Sequence, residues 1–366
     1  MFLWQRNVKF DGLNILRSVL ALGVIWHHMY PPILGAVRLN VPGRILVWLF
    51  FSLSGYVISK SFYEGNYRLQ WISIKCFYLR RVLRIIPLLY VSYFSIWFLF
   101  HREDALFTAQ TFRELLFLQY DPQYRYVSGA WFICPLIQLY LVFPLLFLAI
   151  EKFRIRQNPM MMLLGLLVLD PVLKYLSVYL HWRLAGASVD GVLPFFDDRT
   201  LLGNLGPFLW GAVIYPLERT SHSIIDRRGI PLSWLMIALG IIGVCSLLYQ
   251  LAHKYFWVLP TSTLVGAGSV FLIAWCNHKT AEIVASNHWQ PSLVTRFLLV
   301  LGPLSYGVFL WHDVWIERLS SIYPFYQSNY AFFILGFMAI SFMTILASGV
   351  TYCVVEVPFS KLRKYI

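Results

Sequence analysis

The sequence predicts an all-α membrane protein, a polytopic bundle of about ten transmembrane helices with both termini in the cytoplasm. Three observations carry that expectation. Hydrophobic residues make up 59% of the 366-residue chain and charged residues only 13%, against about 25% charged in a soluble domain. The mean hydropathy is +0.64. Apolar runs of roughly 17 to 25 residues, the length that crosses a bilayer, recur near 13–33, 43–63, 85–100, 129–150, 159–181, 200–217, 231–251, 260–277, 297–317 and 331–355. Spans and short connections use nearly all of the chain. Residues 1–366 therefore read as a single integral membrane domain, with no room for a separate soluble catalytic domain.

A formal charge of +13 raises the question of nucleic acid, and its distribution argues against that. With the N-terminus inside, Arg6, Lys9, the basic residues of 75–84 and 152–156, Arg219, Arg227, Arg228, Lys279 and the terminal Lys361, Arg363 and Lys364 fall on one side. A smaller set, including Arg38, Arg44, Arg102, Arg113 and Arg125, falls on the other. This is the positive-inside pattern; the charge reports orientation in a lipid bilayer, not a nucleic-acid partner. The first apolar run has a basic start but exceeds a signal-peptide core and lacks a small-residue cleavage site, so it reads as retained. Cys76, Cys134, Cys245, Cys276 and Cys353 have neither metal spacing nor the pattern of a disulfide framework, and no metal site is expected.

The first span, FDGLNILRSVLALGVIWHHMY from Phe10, contains Arg17, His27 and His28. Eleven helical steps separate Arg17 from His28, which returns them to within roughly 20° of one face and about 16 Å apart along the axis. Ionisable groups inside a bilayer helix are costly and face a bundle interior or a watery cavity, which makes both functional candidates. The plainer alternative is an arginine reaching a headgroup and a histidine at a helix end. His27 points about 100° away and should tolerate change better.

In the second span, FFSLSGYVIS places Ser54 beside Gly55, which permits close helix approach and leaves a hydroxyl for a neighbouring helix. The cytoplasmic stretch KCFYLRRVLRIIP follows, with Arg80, Arg81 and Arg84 before Pro87. Arginines three or four apart share a face and their forks suit phosphate oxygens, so the stretch is either a contact with anionic lipid or a docking site for a phosphorylated nucleotide carrier. The outer loop 101–128 carries Tyr120, Asp121, Tyr124 and Tyr126, apt for sugar or for interfacial anchoring. The fourth span opens GAWFICPLIQLY with Trp131, Pro135 and Gln138. Asp170 and Lys174, four apart in the fifth span, read as a structural pair. FFDDRT, with Asp197, Asp198 and Arg199, precedes a glycine-rich sixth span; His312 and Asp313 sit towards the outer end of the ninth, and Glu356 and Pro358 close the chain before a basic tail. No P-loop, GxSxG or HExxH is present.

Taken together these stretches resemble acyltransferase family 3, the polytopic membrane O-acyltransferases. Arg17-x10-His28 matches the first-helix signature, FFSLSGY the FFxxSGF-like motif, RRVLRIIP the basic loop, GAWFICPLIQLY the tryptophan-led helix, LSYGVFLWH the late histidine helix and VEVP the terminal Glu-x-Pro. Leu136 stands where many members have a glutamate, so that residue's role does not carry over. The form without an attached SGNH domain is expected, because the chain ends at Ile366.

The resemblance implies transfer of an acyl group, most commonly acetyl from acetyl-CoA, to a hydroxyl of a carbohydrate or glycolipid such as lipopolysaccharide O-antigen or exopolysaccharide, in a bacterial cytoplasmic (inner) membrane. Acyl-CoA is then a donor substrate, with no permanently bound cofactor. Arg80, Arg81 and Arg84 would meet its phosphates. His28 would serve as general base with Arg17 as its catalytic companion, ranked ahead of a transient acyl-histidine. Ser54, Trp131, His312 and Glu356 would support them. The rival expectation is a transporter using the intramembrane ionisable residues as a pathway; it would be favoured by inverted repeats and paired broken helices, neither of which is evident.

Overall fold

The computed structural model describes residues 9–29, 41–117, 126–152, 159–185, 200–225, 232–251, 260–286, 289–322 and 330–366. Tyr120, Asp121 and Tyr124 of the outer loop, and Asp197, Asp198 and Arg199, lie outside them. Among the described residues the chain is helical and contains no strand. In chain order the helices are α1 (Gly12–Met29), α2 (Gly43–Tyr63), α3 (Trp71–Phe100), the short α4 (Ala109–Leu115), α5 (Ile133–Lys152), α6 (Pro159–Ala185), α7 (Leu201–Ile225), α8 (Leu232–Leu251), α9 (Thr261–Ala285), α10 (Leu293–Ile322), α11 (Tyr330–Thr351) and the short α12 (Val357–Leu362). A 3-10 turn, Ser128–Phe132, leads into α5, and a π-helical turn, Tyr352–Glu356, joins α11 to α12.

Among the described residues, seven helical stretches are long and apolar enough to cross a membrane: α2, α3, the turn with α5, α6, α8, α10, and α11 with its continuation. The protein is thus an integral membrane protein. The long helices outside that set, α1, α7 and α9, are rich in Gly, Asn, Ser, Thr or His and run through the interior. A helix wrapped by other helices has no lipid to satisfy, so it can carry small and polar residues that allow close packing. Peripheral helices show the converse. On α11, Met338, Phe342 and Leu346 are exposed at four-residue intervals, as are Leu164, Val168, Val172 and Leu176 on α6, which makes apolar stripes facing outward.

The interior is built on the crossing of α2 with α7. Gly55 and Gly211 meet reciprocally: a Cβ on Gly55 would stand 2.0 Å from the Phe208 carbonyl oxygen, and one on Gly211 would stand 1.8 Å from that of Ser52. Ser52 Oγ donates to the Pro207 carbonyl at 2.8 Å and Ser59 Oγ to the Ala212 carbonyl at 2.5 Å. The hydroxyls that tie these helices are therefore those of Ser52 and Ser59. Ser54, expected to be free for that purpose, lines a cavity on another face of α2. Against α7 lies α6, with Asp170 and Lys174 both buried. Trp210 Nε1 donates to Asp170 Oδ2 at 3.1 Å, and Lys174 Nζ lies 5.4 Å from the centre of the Trp48 ring. In a helix apolar on nearly every face, this polar spot selects the side that faces inward.

One expectation needs correction. The basic stretch before Pro87 is not a loop: Arg80, Arg81 and Arg84 belong to α3, which runs unbroken from Trp71 through Pro87. A proline in a membrane helix is tolerated where neighbours satisfy the freed carbonyl. The fourth span begins with the 3-10 turn, so Pro135 falls in the first turn of α5, where a missing N–H costs little.

Replacing Gly211 with Ala should drive a methyl into the Ser52 carbonyl and destabilise the bundle by about 1–3 kcal/mol. A lowered melting temperature in detergent is the expected result; an unchanged one would show that the crossing is looser than described.

Candidate active site

Asp11 begins the site by beginning α1. Its Oδ1 accepts from the backbone N–H of Leu13 (3.0 Å) and Asn14 (3.1 Å), an N-cap in which the carboxylate satisfies orphan donors of the first turn. Its Oδ2 accepts from Asn14 Nδ2 at 2.8 Å, and Asn14 Oδ1 in turn accepts from Arg17 Nη1 at 3.2 Å. A three-residue relay thus holds the guanidinium one turn into the helix. Asn14 is steadied by the close approach of α10, where Gly302 has no room for a side chain against the Asn14 carbonyl.

Arg17 faces a cavity of about 100 Å³ shared with Arg81 and Arg84 of α3, Ser54 of α2, Leu136 and Tyr140 of α5, and Tyr306 of α10. No carboxylate lines it among the described residues. Arg81 is held between rings, its guanidinium 5.5 Å from the centre of Phe77 and 5.4 Å from that of Tyr140, and its buried Nε has no hydrogen-bond partner among the described residues. Three cations around one space, with aromatic faces to steady them and no anion lining it, make an anion-binding chamber. Arg80 does not line it. It turns toward Tyr67 at 5.6 Å, so the structure divides the arginines that the sequence grouped. Glu356, in the π-turn, stands within electrostatic reach of Arg84 and Arg363.

A second cavity of about 190 Å³ lies along α1 beyond the first. His27, His28, Arg44, Trp131, Tyr249 and His312 line it, and Val47 and Phe309 line both cavities. The Phe309 ring packs edge-on against Phe50 (4.8 Å) and tilted against Phe132 (4.7 Å), so an aromatic cluster separates the chambers. Gly129 lets the 3-10 turn with Trp131 press onto α10, since a Cβ there would stand 2.3 Å from the Phe309 carbonyl.

His28 is 40% exposed, to this outer chamber, and its Nδ1 lies 3.4 Å from Asp313 Oδ1. His312 is buried; its Nδ1 is 2.9 Å from the Phe309 carbonyl and its Nε2 is 3.1 Å from the same Asp313 Oδ1. The His28 and His312 rings meet edge to face at 5.0 Å.

The sequence-nominated residues therefore divide into an inner group, Arg17, Ser54, Arg81 and Arg84, and an outer group, His28, Trp131 and His312. His27 lines the same chamber as His28 and packs against Gly43, so it is less peripheral than its helical angle implied. Asp313, Arg44, Tyr140, Tyr249 and Tyr306 were not nominated. Only Asp313 had a readable signal, as a carboxylate adjoining a histidine within an apolar span.

The described residues thus form a helical membrane bundle with a cationic chamber towards one end of α1 and a histidine–carboxylate cluster towards the other. Residues 10–353 match the family described as acyltransferase domain. The chain belongs to acyltransferase family 3. It is 24% identical to the O-acetyltransferase OatA of Staphylococcus aureus (strain NCTC 8325) over 96% of its own length and 57% of that protein's. It is 22% identical to YrhL of Bacillus subtilis (strain 168), provisionally titled a peptidoglycan O-acetyltransferase, over 84% of this chain and 49% of YrhL. The chain thus spans about half the length of these curated relatives. No solved structure matches it.

Proposed function

We propose that the protein is a membrane O-acetyltransferase that moves acetyl from cytoplasmic acetyl-CoA to a hydroxyl of a cell-envelope carbohydrate at the outer face. The observation that carries this reading is the pair of chambers meeting at Val47 and Phe309, one ringed by Arg17, Arg81 and Arg84, the other opening on His28. A coenzyme A nucleotide is polyanionic and cytoplasmic. Its phosphates suit the arginine chamber, and its pantetheine arm is long enough to follow α1 over the roughly 16 Å from Arg17 to His28. The bundle in this reading has ten membrane helices, both termini inside, in a bacterial inner membrane.

In the reaction, His28 takes the proton from the acceptor hydroxyl as its oxygen attacks the thioester carbonyl. The C–O bond forms, the C–S bond breaks, and the departing thiolate of coenzyme A recovers the proton from His28. Trp131 and Tyr249 offer ring faces to a sugar, and Arg44 offers a donor. The relatives' names support acetyl as the acyl group and an envelope glycan as the acceptor class; lipopolysaccharide O-antigen, exopolysaccharide and peptidoglycan all satisfy that chemistry. The family assignment favours this reading over a transporter.

Three measurements test it. In vesicles of known orientation, acetyl-CoA supplied on the basic face and an impermeant glycan on the other should yield acetylated glycan; product formed only when both share the basic face would overturn transmembrane transfer. Arg84→Ala should weaken acetyl-CoA binding about tenfold at low salt, with the difference shrinking at high salt, whereas Arg80→Ala should do less. Equal effects would return both arginines to one site. His28→Ala should lower turnover by about 10²–10⁴-fold without loss of membrane insertion, and near-wild-type turnover would remove the base assignment.

A further inference from the structure

We infer that Asp313 is a positioning residue for His28, orienting it so that Nε2 is the basic nitrogen. The inference rests on the reading of His28 as general base. It fixes which nitrogen acts, something the sequence leaves open.

His312 is 1% exposed. Its Nδ1 is 2.9 Å from the Phe309 carbonyl oxygen. A carbonyl only accepts, so Nδ1 carries a hydrogen. Its Nε2 lies 3.1 Å from Asp313 Oδ1, without the geometry of a hydrogen bond to it or to any other described residue.

The same Oδ1 stands 3.4 Å from His28 Nδ1. A carboxylate oxygen accepts, so the favourable tautomer of His28 has its hydrogen on Nδ1 and its lone pair on Nε2. The perpendicular rings bring two imidazole edges to one carboxylate. Among the described residues, His27 on the same helix, Arg44 and Tyr249 also line the chamber. When His28 takes up the acceptor's proton, the imidazolium forms against an anion already in place, which is how a carboxylate behind a histidine assists acyl transfer.

A divalent cation is the competing occupant, because the three ligand atoms of His28, His312 and Asp313 lie within 4.8 Å of one another. It would take the Nδ1 lone pair of His28 and leave the hydrogen on Nε2. The site would then have no base there.

The test is a double-mutant cycle in purified full-length protein, with acetyl-CoA affinity measured on each preparation to report folding. Asp313→Asn keeps shape and removes charge. It should lower kcat by about 10²–10⁴-fold while acetyl-CoA affinity stays within about twofold. In a His28→Ala background the same change should cost little more, because a residue acting through His28 has nothing left to act on. Near-wild-type turnover of Asp313→Asn beside an inactive His28→Ala would overturn the inference and leave the base assignment standing. So would equal losses in the two backgrounds, or a stoichiometric metal whose removal abolishes turnover. A near-wild-type His28→Ala enzyme would instead overturn the base assignment, and this inference with it.

Discussion

The constraint on which the structure depends is the cost of placing ionisable groups inside hydrocarbon. An arginine or histidine midway along a membrane helix is tolerated only where protein or a polar cavity surrounds it. Arg17 is held by the Asp11–Asn14 relay and opens on the inner chamber; His28 opens on the outer one beside Asp313. Neither could face lipid, so α1 must be an inner helix. It is accordingly packed by α2, α9, α10 and α11.

Once α1 is interior, the rest of the bundle has to supply its surroundings. The crossing of α2 and α7 brings backbones together at Gly55 and Gly211 and so frees the opposite face of α2, with Ser54 and Val47, to line the chambers. The 3-10 turn closes on α10 at Gly129, which sets Trp131 beside the outer cavity. Peripheral helices need no such precision. They present leucine, valine, phenylalanine and methionine outward, and where a single face must still be chosen, as on α6, a buried polar pair chooses it.

In the proposed reaction, the two chambers would give the transfer a direction. Phosphate recognition needs dense positive charge, whereas base catalysis needs an uncharged imidazole nitrogen. Concentrating both in one cavity would set three guanidinium groups against the forming imidazolium. Separation along α1, with Val47 and Phe309 between, would keep the arginines away from the proposed reacting carbonyl, and the long, uncharged pantetheine arm of the proposed donor would suit bridging the gap.

Much of this was legible in the sequence. Composition and the recurrence of apolar runs determined an all-α membrane protein, because the bilayer admits few other solutions, and the Arg17-x10-His28 spacing put both residues on one helix face because helical geometry is local. Ordered motifs identified the family, and Leu136 was seen to replace a glutamate. Other features are decided only between elements. The arginine motif read as a loop because hydropathy does not register a helix extending beyond its apolar part. Arg80 parted from Arg81 and Arg84 because the positions of Tyr67 and Tyr140 depend on how separate segments pack. Asp313 drew no nomination since adjacency to His312 in the chain says nothing of its distance from His28, 285 positions away. The sequence by itself determined which residues cannot face lipid; the tertiary structure alone decided which of them face each other, because that depends on contacts between helices far apart in the chain.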